Sequence, residues 1–473
     1  MPTSTPLAAV RILRPTQSHR RLTATDRSGG EVPLDQDPTD PITLANEFDR
    51  ANAVVELQGM LHKGGFIDAE VVLVSLDTLV QVADDLEEEM KQKMALGQDL
   101  VVFQLCDGTE LDGYPGVSMV IELEKRKIPF TGSDSAFYII SSSKPILKKE
   151  LQAAHVPTSS FKEFRELAKR EDLDDIIQEI GFPMIVKPSI SYASINITVA
   201  SVVHDAEHLL EQVNLSLAAS LKGTKKEDSA DAIADAAEIL KQKQQHYQET
   251  QPQDQQQAIL KAKTLKKDEK MALDIETPTV FVEQYLAGLE FTALVIGDKD
   301  WGIRVYPVAE RAFDPNLGKF ERLLSFDQYW DGYDLNGGQG NEDFCRYQLA
   351  NPEWQERLQQ VARDAYLALD GNGYGRVDIR TMEMDKCEPV VLEVNCNCGL
   401  SFEKDSSSLA NILLLTHVDP PAFIHELIDH ALHRNRRLYG THHTHHHQAH
   451  RPTTVLSTHG HGNRERVEVL VQS

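Results

Sequence analysis

The sequence has little of several features that define whole classes of proteins. No apolar run approaches the ~20 residues that a membrane-spanning helix needs. There are only five cysteines, an odd number with no pairing pattern, which fits a reducing compartment such as the cytoplasm. Basic residues are outnumbered, because 48 Lys and Arg stand against 73 Asp and Glu, for a net charge of −25. An acidic chain repels nucleic-acid backbones and anionic membranes, so we expect neither as a partner.

The sequence pattern also lacks a side-chain nucleophile and a thiolate metal site. No Ser-His-Asp or Cys-His combination is arranged recognisably. Cys396 and Cys398 are separated by one residue, whereas a CxxC zinc half-site has two between its cysteines. What is present is material for a large globular protein: 473 residues allow two to four domains, and 41% of them are apolar.

The first 45 residues are rich in Pro, Thr, Ser and Arg, which predicts a mostly disordered leader. The arginines resemble those of a mitochondrial transit peptide, so a mitochondrial location is the alternative to the cytoplasm. Within this leader, Ala8–Leu13 is a candidate first strand of the folded domain.

Strand-like and helix-like segments alternate in the next part of the chain. Apolar periodicity predicts helices over Ala45–Leu61, Leu79–Lys93 and Val117–Lys127, and strands over Glu70–Leu76, Leu100–Leu105 and Ile128–Thr131. Such alternation is typical of a parallel sheet covered by helices.

The stretch GRVDIRTMEMDKCEPVVLEVNCNCGL, residues 375–400, predicts a hairpin of two strands. The alternation of a strand places Arg376 and Asp378 on one face, and Glu393 and Asn395 on one face of the next strand. Pairing the strands brings together one arginine, two carboxylates and one amide oxygen. Hard cations such as Mg²⁺ prefer oxygen ligands, usually shared with substrate phosphates. The alternative is a surface hairpin with solvated charges.

At these residues the chain resembles the ATP-grasp superfamily, and within it the D-alanine–D-alanine ligase type. Those ligases carry R-x-D … L-E-x-N-x-x-P-G near the C-terminal end, and here Cys398 stands in place of the proline while Gly399 is kept. The resemblance implies an α/β and α+β architecture, in which an ATP-grasp fold is preceded by a Rossmann-like pre-ATP-grasp domain.

The resemblance also implies roles for the hairpin residues. Asp378 and Glu393 would hold two Mg²⁺ ions, with Mn²⁺ as the alternative, and Asn395 would bind one of them. Arg376 and the backbone amide of Gly399 would face the oxyanion that develops during the reaction.

Two lysines are implied to bind the nucleotide phosphates. Lys144 opens the K-x-x-x-K segment, and Lys187 ends the apolar strand PMIVKP, where its charge needs compensation. A phosphate-covering flap should follow, at SISYASIN. Here Tyr192 replaces a glycine and Ala193 replaces a serine of the D-alanine enzymes, while Ser194 keeps a hydroxyl for ATP. The departures favour a different amino-acid substrate.

The segment TVFVEQYLAGLEFT, residues 279–292, resembles the adenosine site of the same ligases. The resemblance implies that Glu283 accepts a hydrogen bond from the adenine amino group. Backbone groups of Gln284, Tyr285 and Leu286 would form a hinge along the ring edge, and Glu290 would hold the ribose hydroxyls. Residues 311–345 form a long Gly- and Asp-rich loop, which is a candidate active-site lid. The resemblance implies a lysine near the γ-phosphate in this region, and Lys319 and Arg322 are the candidates to replace it.

Together these patterns predict an ATP-dependent carboxylate–amine ligase that acts on small amino-acid-like substrates, with a homodimer left open. Alternatives are a ligase for other amino acids or dipeptides and a non-catalytic ATP-binding protein. The predicted organisation is a leader at 1–45, a pre-ATP-grasp domain at 46–140, an ATP-grasp domain at 141–221 and 276–435, a charged Gln- and Lys-rich insertion at 222–275, and a disordered His-rich tail at 436–473.

Overall fold

The computed structural model describes residues 7–16, 23–25, 31–33, 41–108, 113–190, 197–222, 279–324, 344–404 and 406–440. Three predictions lie largely outside these residues: the phosphate flap with Ser194, the insertion beyond Lys222, and the His-rich tail beyond Gly440. None of the helices in the described ranges is both long and apolar enough to cross a bilayer.

The N-terminal part contains a parallel sheet of three strands in the order β4-β1-β5. Its elements are β1 Ala9–Pro15, β2 Thr23–Thr25, β3 Glu31–Pro33, α1 Pro41–Lys63, β4 Ala69–Val74, α2 Leu79–Ala95, β5 Leu100–Gln104 and α3 Val117–Lys125. The alternation of strands and helices is as predicted, but the central strand β1 lies inside the predicted leader, where Ala8–Leu13 was the candidate strand. The predicted strand Ile128–Thr131 is reduced to one bridge between Val102 and Phe130.

The middle part contains an antiparallel sheet of four strands in the order β6-β9-β7-β8. Its elements are α4 Ser135–Ser142, α5 Lys144–Ala153, β6 Phe161–Phe164, α6 Asp174–Ile180, β7 Met184–Pro188, β8 Val202–Val203, α7 Ala206–Lys222 and β9 Val280–Gln284. Helix α7 packs on this sheet through Leu209, Val213 and Leu217.

The C-terminal part contains an antiparallel sheet in the order β13-β12-β10-β14-β15, with β11 added to β10. Its elements are β10 Glu290–Asp298, β11 Gly302–Val305, β12 Ala309–Phe313, β13 Cys345–Leu349, α8 Pro352–Ala368, β14 Tyr374–Thr381, β15 Pro389–Cys396, α9 Ser408–Leu415 and α10 Pro420–Tyr439. The predicted loop at 311–345 is shorter than expected, because Arg311 belongs to β12 and Cys345 to β13.

The central strand β10 is buried along all nine residues, because helices cover both faces of its sheet. Phe291, Ala293 and Val295 pack in one core with Leu358 and Ala362 of α8. The alternate residues Leu294 and Ile296 pack in another core with α9 and α10. A strand that is buried on both sides has a largely continuous run of apolar residues. The segments VFVEQ of β9 and EFTALVIG of β10 show this pattern in the sequence.

Contacts of His430 and Arg437 with the carboxylate of Asp298 join α10 to the end of β10. The Nε2 atom of His430 lies 3.2 Å from Oδ2 of Asp298, and Nη2 of Arg437 lies 3.2 Å from the same oxygen. Burial raises the pKa of Asp298, but His430, the backbone N–H of Trp301 and Arg437 outweigh burial and lower this pKa to about 2.

We expect Asp298→Asn to lower the free energy of unfolding by about 2 kcal/mol at pH 7. A carboxyl whose pKa is lowered by folding stabilises the fold above its unfolded pKa, and this stabilisation is lost as the pH falls from about 4 through about 2. Urea unfolding at pH 7 and pH 3, with the exposed Asp364→Asn as control, checks this. An equal loss at both pH values would show that the charge of Asp298 is not its source.

Candidate active site

The predicted site residues gather where the four-stranded sheet meets the C-terminal sheet. Hydrogen bonds to the backbone amide and carbonyl of Val391 in β15 connect the two sheets. The backbone amide of Val391 donates to the Pro157 carbonyl over 2.8 Å, and the Val391 carbonyl accepts from Thr158 Oγ1 at 2.9 Å and from Lys148 Nζ at 3.2 Å. The region between the two sheets, called the cleft below, is bordered by β7 and β9 on one side and by β10, β14 and β15 on the other.

The acidic hairpin forms as predicted, with β14 antiparallel to β15. Asp378 lies opposite Glu393, and Arg376 lies opposite Asn395. Arg376 donates two bonds to the Asp378 carboxylate, from Nε at 3.0 Å to Oδ1 and from Nη2 at 2.8 Å to Oδ2. Burial lowers the pKa of Arg376, but the Asp378 charge outweighs burial and raises it. This arginine therefore stays charged beside the carboxylate.

The donor set of the hairpin fits a hard cation. Nδ2 of Asn395 donates to Asp378 at 3.0 Å and to Glu393 at 3.2 Å, so one amide joins both carboxylates. Rotation of this amide by half a turn presents its oxygen in the same place. Among the described residues no group of three or more His, Cys, Asp and Glu is placed to hold a metal. A cation here would thus take two carboxylates and an amide from the protein and its remaining ligands from substrate or water.

Lys187 reaches this cleft from the four-stranded sheet, and Lys144 reaches it from the start of helix α5. Lys144 begins α5, and its Nζ lies 3.8 Å from Oε2 of Glu393. Burial lowers the pKa of Lys144, although Glu393 opposes that effect. Lys187 on β7 donates to Oε1 of Glu283 over 2.7 Å, and this carboxylate outweighs burial and raises the pKa of Lys187.

Glu283 lies in a buried cluster that the sequence pattern does not reveal. Its second carboxylate oxygen lies 2.8 Å from Nζ of Lys148 and accepts a hydrogen bond from Ser159. Lys148 and Glu283 are 0% and 1% exposed. Burial raises the pKa of Glu283, but Lys148 and Lys187 outweigh burial and lower it to about 2. The hydrogen bond between Glu283 and an adenine amino group stays a prediction. In the structure, Glu283 contacts Lys148, Lys187 and Ser159.

Glu290, predicted to bind ribose, lies between two buried arginines. Arg311 on β12 pairs with Oε1, and Nε of Arg380 on β14 lies 3.2 Å from Oε2. Arg311 is held further by Tyr347 and Ser408, each 3.2 Å from its guanidinium. The Nε group of Arg380 makes no aligned hydrogen bond within the described residues, so Oε2 keeps capacity to accept from a ligand hydroxyl. The ribose role therefore stays a prediction.

The predicted hinge runs from Gln284, the last residue of β9, to Leu286. The backbone amide of Gln284 donates to Ser160, and that of Tyr285 donates to Pro183 at 3.1 Å, so Leu286 supplies the remaining amide of the hinge. The connector runs tightly against β14 at Gly288, where a Cβ atom would lie 2.3 Å from the carbonyl oxygen of Thr381. A glycine is needed at this close approach.

Gly399 lies in an exposed turn just after β15, with nothing within 4 Å of the position that a Cβ atom would take. The turn is fixed by Asn397, whose Oδ1 accepts from the Ser133 amide at 2.8 Å and whose Nδ2 donates to Ser133 Oγ at 3.0 Å. Burial raises the pKa of Cys398 to about 12, so its thiol stays protonated.

Three comparisons with known proteins find similarity to D-alanine–D-alanine ligases. The family model "D-ala D-ala ligase C-terminus" matches residues 256–429. A D-alanine–D-alanine ligase of Desulforamulus reducens is 24% identical over 371 residues, covering 75% of this chain and 93% of the relative. One from Nitrosococcus oceani is 25% identical over 293 residues, and the chain spans 66% of its length, just under two thirds. The ATP complex of the Bacillus anthracis D-alanine–D-alanine ligase has a TM-score of 0.50 at 14% identity and covers 91% of this chain and 99% of that one.

The fold is the ATP-grasp fold, with mixed helices and sheets as predicted. The family model and the relatives show more narrowly what the chain is similar to: the D-alanine–D-alanine ligases. The Rossmann-like nature of the N-terminal part and the domain boundaries stay predictions.

Proposed function

We propose that the protein is an ATP-dependent carboxylate–amine ligase of the D-alanine–D-alanine ligase type. It would activate a carboxylate with ATP and join it to an amine, releasing ADP and phosphate. The observation that carries the proposal is the excess of positive charge in the cleft, beside an oxygen-rich hairpin.

The ion pairs of the cleft do not balance. Glu283 faces two lysines and Glu290 faces two arginines, while Asp378 and Glu393 each face one cation. Among the described residues, six cationic side chains thus meet four carboxylates in these pairs, a surplus of two positive charges. Buried or half-buried charge of one sign needs compensation, and a polyphosphate supplies it.

The chemistry needs positioning and charge neutralisation more than a protein nucleophile. The substrate carboxylate attacks the γ-phosphate, which gives an acyl phosphate and ADP, and an amine then displaces phosphate to form the amide. Lys144 and Lys187 would neutralise the phosphates, and Arg376 with the amide of Gly399 would face the developing oxyanion.

Magnesium completes the proposed site. Asp378, Glu393 and Asn395 supply the donors, and two Mg²⁺ ions, with Mn²⁺ as the alternative, would neutralise phosphate charge when bound. For the amide oxygen of Asn395 to bind a cation, the amide has to make the half-turn described above.

The nature of the amino-acid substrates is a separate part of the proposal. The relatives are named for D-alanine, which makes D-alanine the first substrate to test. Tyr192 and Ala193, where those ligases usually have a glycine and a serine, favour other amino acids or dipeptides instead. The same altered flap motivates the alternative of a non-catalytic ATP-binding protein.

An amino-acid array separates these functions. ADP formation is measured with ATP and Mg²⁺ against D-alanine, D-serine, the L-amino acids and a set of dipeptides, singly and in pairs. We expect ADP formation that depends on an added pair and yields an amide detectable by mass spectrometry. Binding of a non-hydrolysable ATP analogue without ADP formation in any pair would favour the non-catalytic alternative. No nucleotide binding at all would overturn the proposal.

The assembly and the location of the protein stay predictions. A homodimer is open to measurement by light scattering, and a cytoplasmic location, with the mitochondrion as alternative, by fractionation of cells that make the protein.

A further inference from the structure

We propose that Arg380 is a positioning residue of the nucleotide site, which fixes the hinge and the loop after β12 relative to each other. The inference rests on the proposed ATP-dependent function. It concerns the residue that orders the pocket, which neither the sequence pattern nor the resemblance indicates.

The side chain of Arg380 contacts three segments that are far apart in the chain. Its Nη1 donates to the carbonyl of Leu286 in the hinge over 2.9 Å. Its Nη2 donates to the carbonyl of Arg322 in the loop after β12. Its Nε lies 3.2 Å from Glu290 at the start of β10. A planar guanidinium can donate to two carbonyls and pair with a carboxylate at once, whereas an ammonium is a point charge on a flexible stem.

The loop that Arg380 holds also packs on the hinge. The hydroxyl of Tyr285 donates to the Lys319 carbonyl at 3.2 Å, and the ring of Tyr285 lies 5.7 Å from that of Phe320. Tyr285 and Leu323 are both buried in the same small core. The guanidinium of Arg380 lies 5.4 Å from the centre of the Tyr285 ring. The hinge and the loop with Lys319 therefore form one unit around Arg380.

Arg311 also pairs with Glu290, so the role of Arg380 can be tested separately. Arg311 holds the other oxygen of Glu290 and is fixed by Tyr347 and Ser408. Loss of Arg380 therefore leaves Glu290 paired, and the carbonyls of Leu286 and Arg322 lose their charged donor. Because the carbonyls belong to the two segments that would enclose the nucleotide, the loss should affect nucleotide binding more than amino-acid binding.

The experiment compares Arg380→Met and Arg380→Lys with wild type in the full-length protein. The control is Arg363→Met, which removes a guanidinium donor to the Ile303 carbonyl on the same sheet, away from the cleft. Calorimetric Kd values for AMP-PNP, KM values for ATP and for the best amino-acid substrate, and unfolding midpoints are measured for each protein.

We expect Arg380→Met to raise the Kd for AMP-PNP and the KM for ATP about tenfold or more, with the amino-acid KM changed less than about threefold. Arg380→Lys should recover only part of the affinity. Arg363→Met should bind nucleotide like wild type. If Arg380→Met is folded and binds AMP-PNP with wild-type Kd, or if both KM values rise equally, the proposal is wrong. Failure of the wild-type protein to bind AMP-PNP would instead reject the proposed function.

If Arg380→Met does not fold, Arg380→Lys decides the question. A folded Arg380→Lys protein with wild-type nucleotide affinity and wild-type KM for ATP would overturn the positioning role. A selective loss of nucleotide affinity in that variant would support it.

Discussion

Replacement of Glu393 by Gln is expected to reduce Mg²⁺-dependent ADP formation at least about a hundredfold, while the fold stays intact. Glu393 supplies one of the two carboxylates that the hairpin offers to a cation, and Gln keeps the shape but removes the charge. The carboxylate is also the partner of Lys144 at 3.8 Å. Its side chain is 32% exposed, so loss of this ion pair should change the free energy of unfolding by less than about 1 kcal/mol.

The measurement is kcat for ADP release across a series of Mg²⁺ concentrations, together with urea unfolding. Glu388→Gln is the matched control, because Glu388 lies exposed on the same hairpin, near its tip. The control should keep both its turnover and its magnesium dependence. Turnover by Glu393→Gln at the wild-type rate would show that the metal assignment is wrong, and a folded variant that binds ATP without turning it over would support it.

The site hairpin could be predicted because its information is local. Alternation along two adjacent strands decides which side chains share a face, and a short tip leaves one antiparallel pairing. The alternation does not reveal the register shift between Asp378 and Ile379, which places Asp378 opposite Glu393 and not opposite Leu392. The strand β9, the connector with Gly288 and the strand β10 could be predicted for the same reason, since they follow each other within a few residues. The hinge role of the connector stays a prediction.

The partners that come from distant segments could not be predicted. Lys148 reads as an ordinary helix lysine, and only the packing of α5 against β9 and β15 shows that it is fully buried beside Glu283. Arg311 and Arg380 lie 69 residues apart in the chain. Both lie beside Glu290 because β12 and β14 pair with the two edges of β10, and neither segment alone predicts this strand order. Strand β1 was predicted as the candidate Ala8–Leu13, but its place at the centre of the first sheet could not be predicted from a segment surrounded by Pro, Ser and Arg residues.

The buried lysines lead to the largest expected effect on stability: Glu283→Gln should lower the free energy of unfolding by about 3–5 kcal/mol at pH 7. Glu283 is the shared carboxylate of Lys148 and Lys187, whose side chains are 0% and 15% exposed. Gln keeps the size of the side chain and one acceptor for Ser159, but it leaves two ammonium groups in the interior without a counter-charge. This loss of stability is the one expected when one partner of a buried ion pair is removed.

The control for Glu283→Gln is Glu163→Gln on the neighbouring strand β6, because Glu163 pairs only with the exposed side chains of Lys149 and Arg165 among the described residues. It should cost less than about 1 kcal/mol. The double variant Glu283→Gln, Lys148→Met should regain part of the lost stability, because it removes the most buried unpaired charge. No recovery in the double variant would show that the cost comes from packing and not from charge.

The pH dependence gives an independent check of the same cluster. The folded pKa of Glu283 is about 2, below its ordinary value of 4.5. Its charge therefore stabilises the fold above pH 4.5, and this contribution disappears as the pH falls toward 2. The difference in unfolding free energy between wild type and Glu283→Gln should be largest near pH 7 and shrink steadily between pH 4.5 and 2. A difference that stays constant over this range would contradict a charged Glu283 as the centre of the cluster.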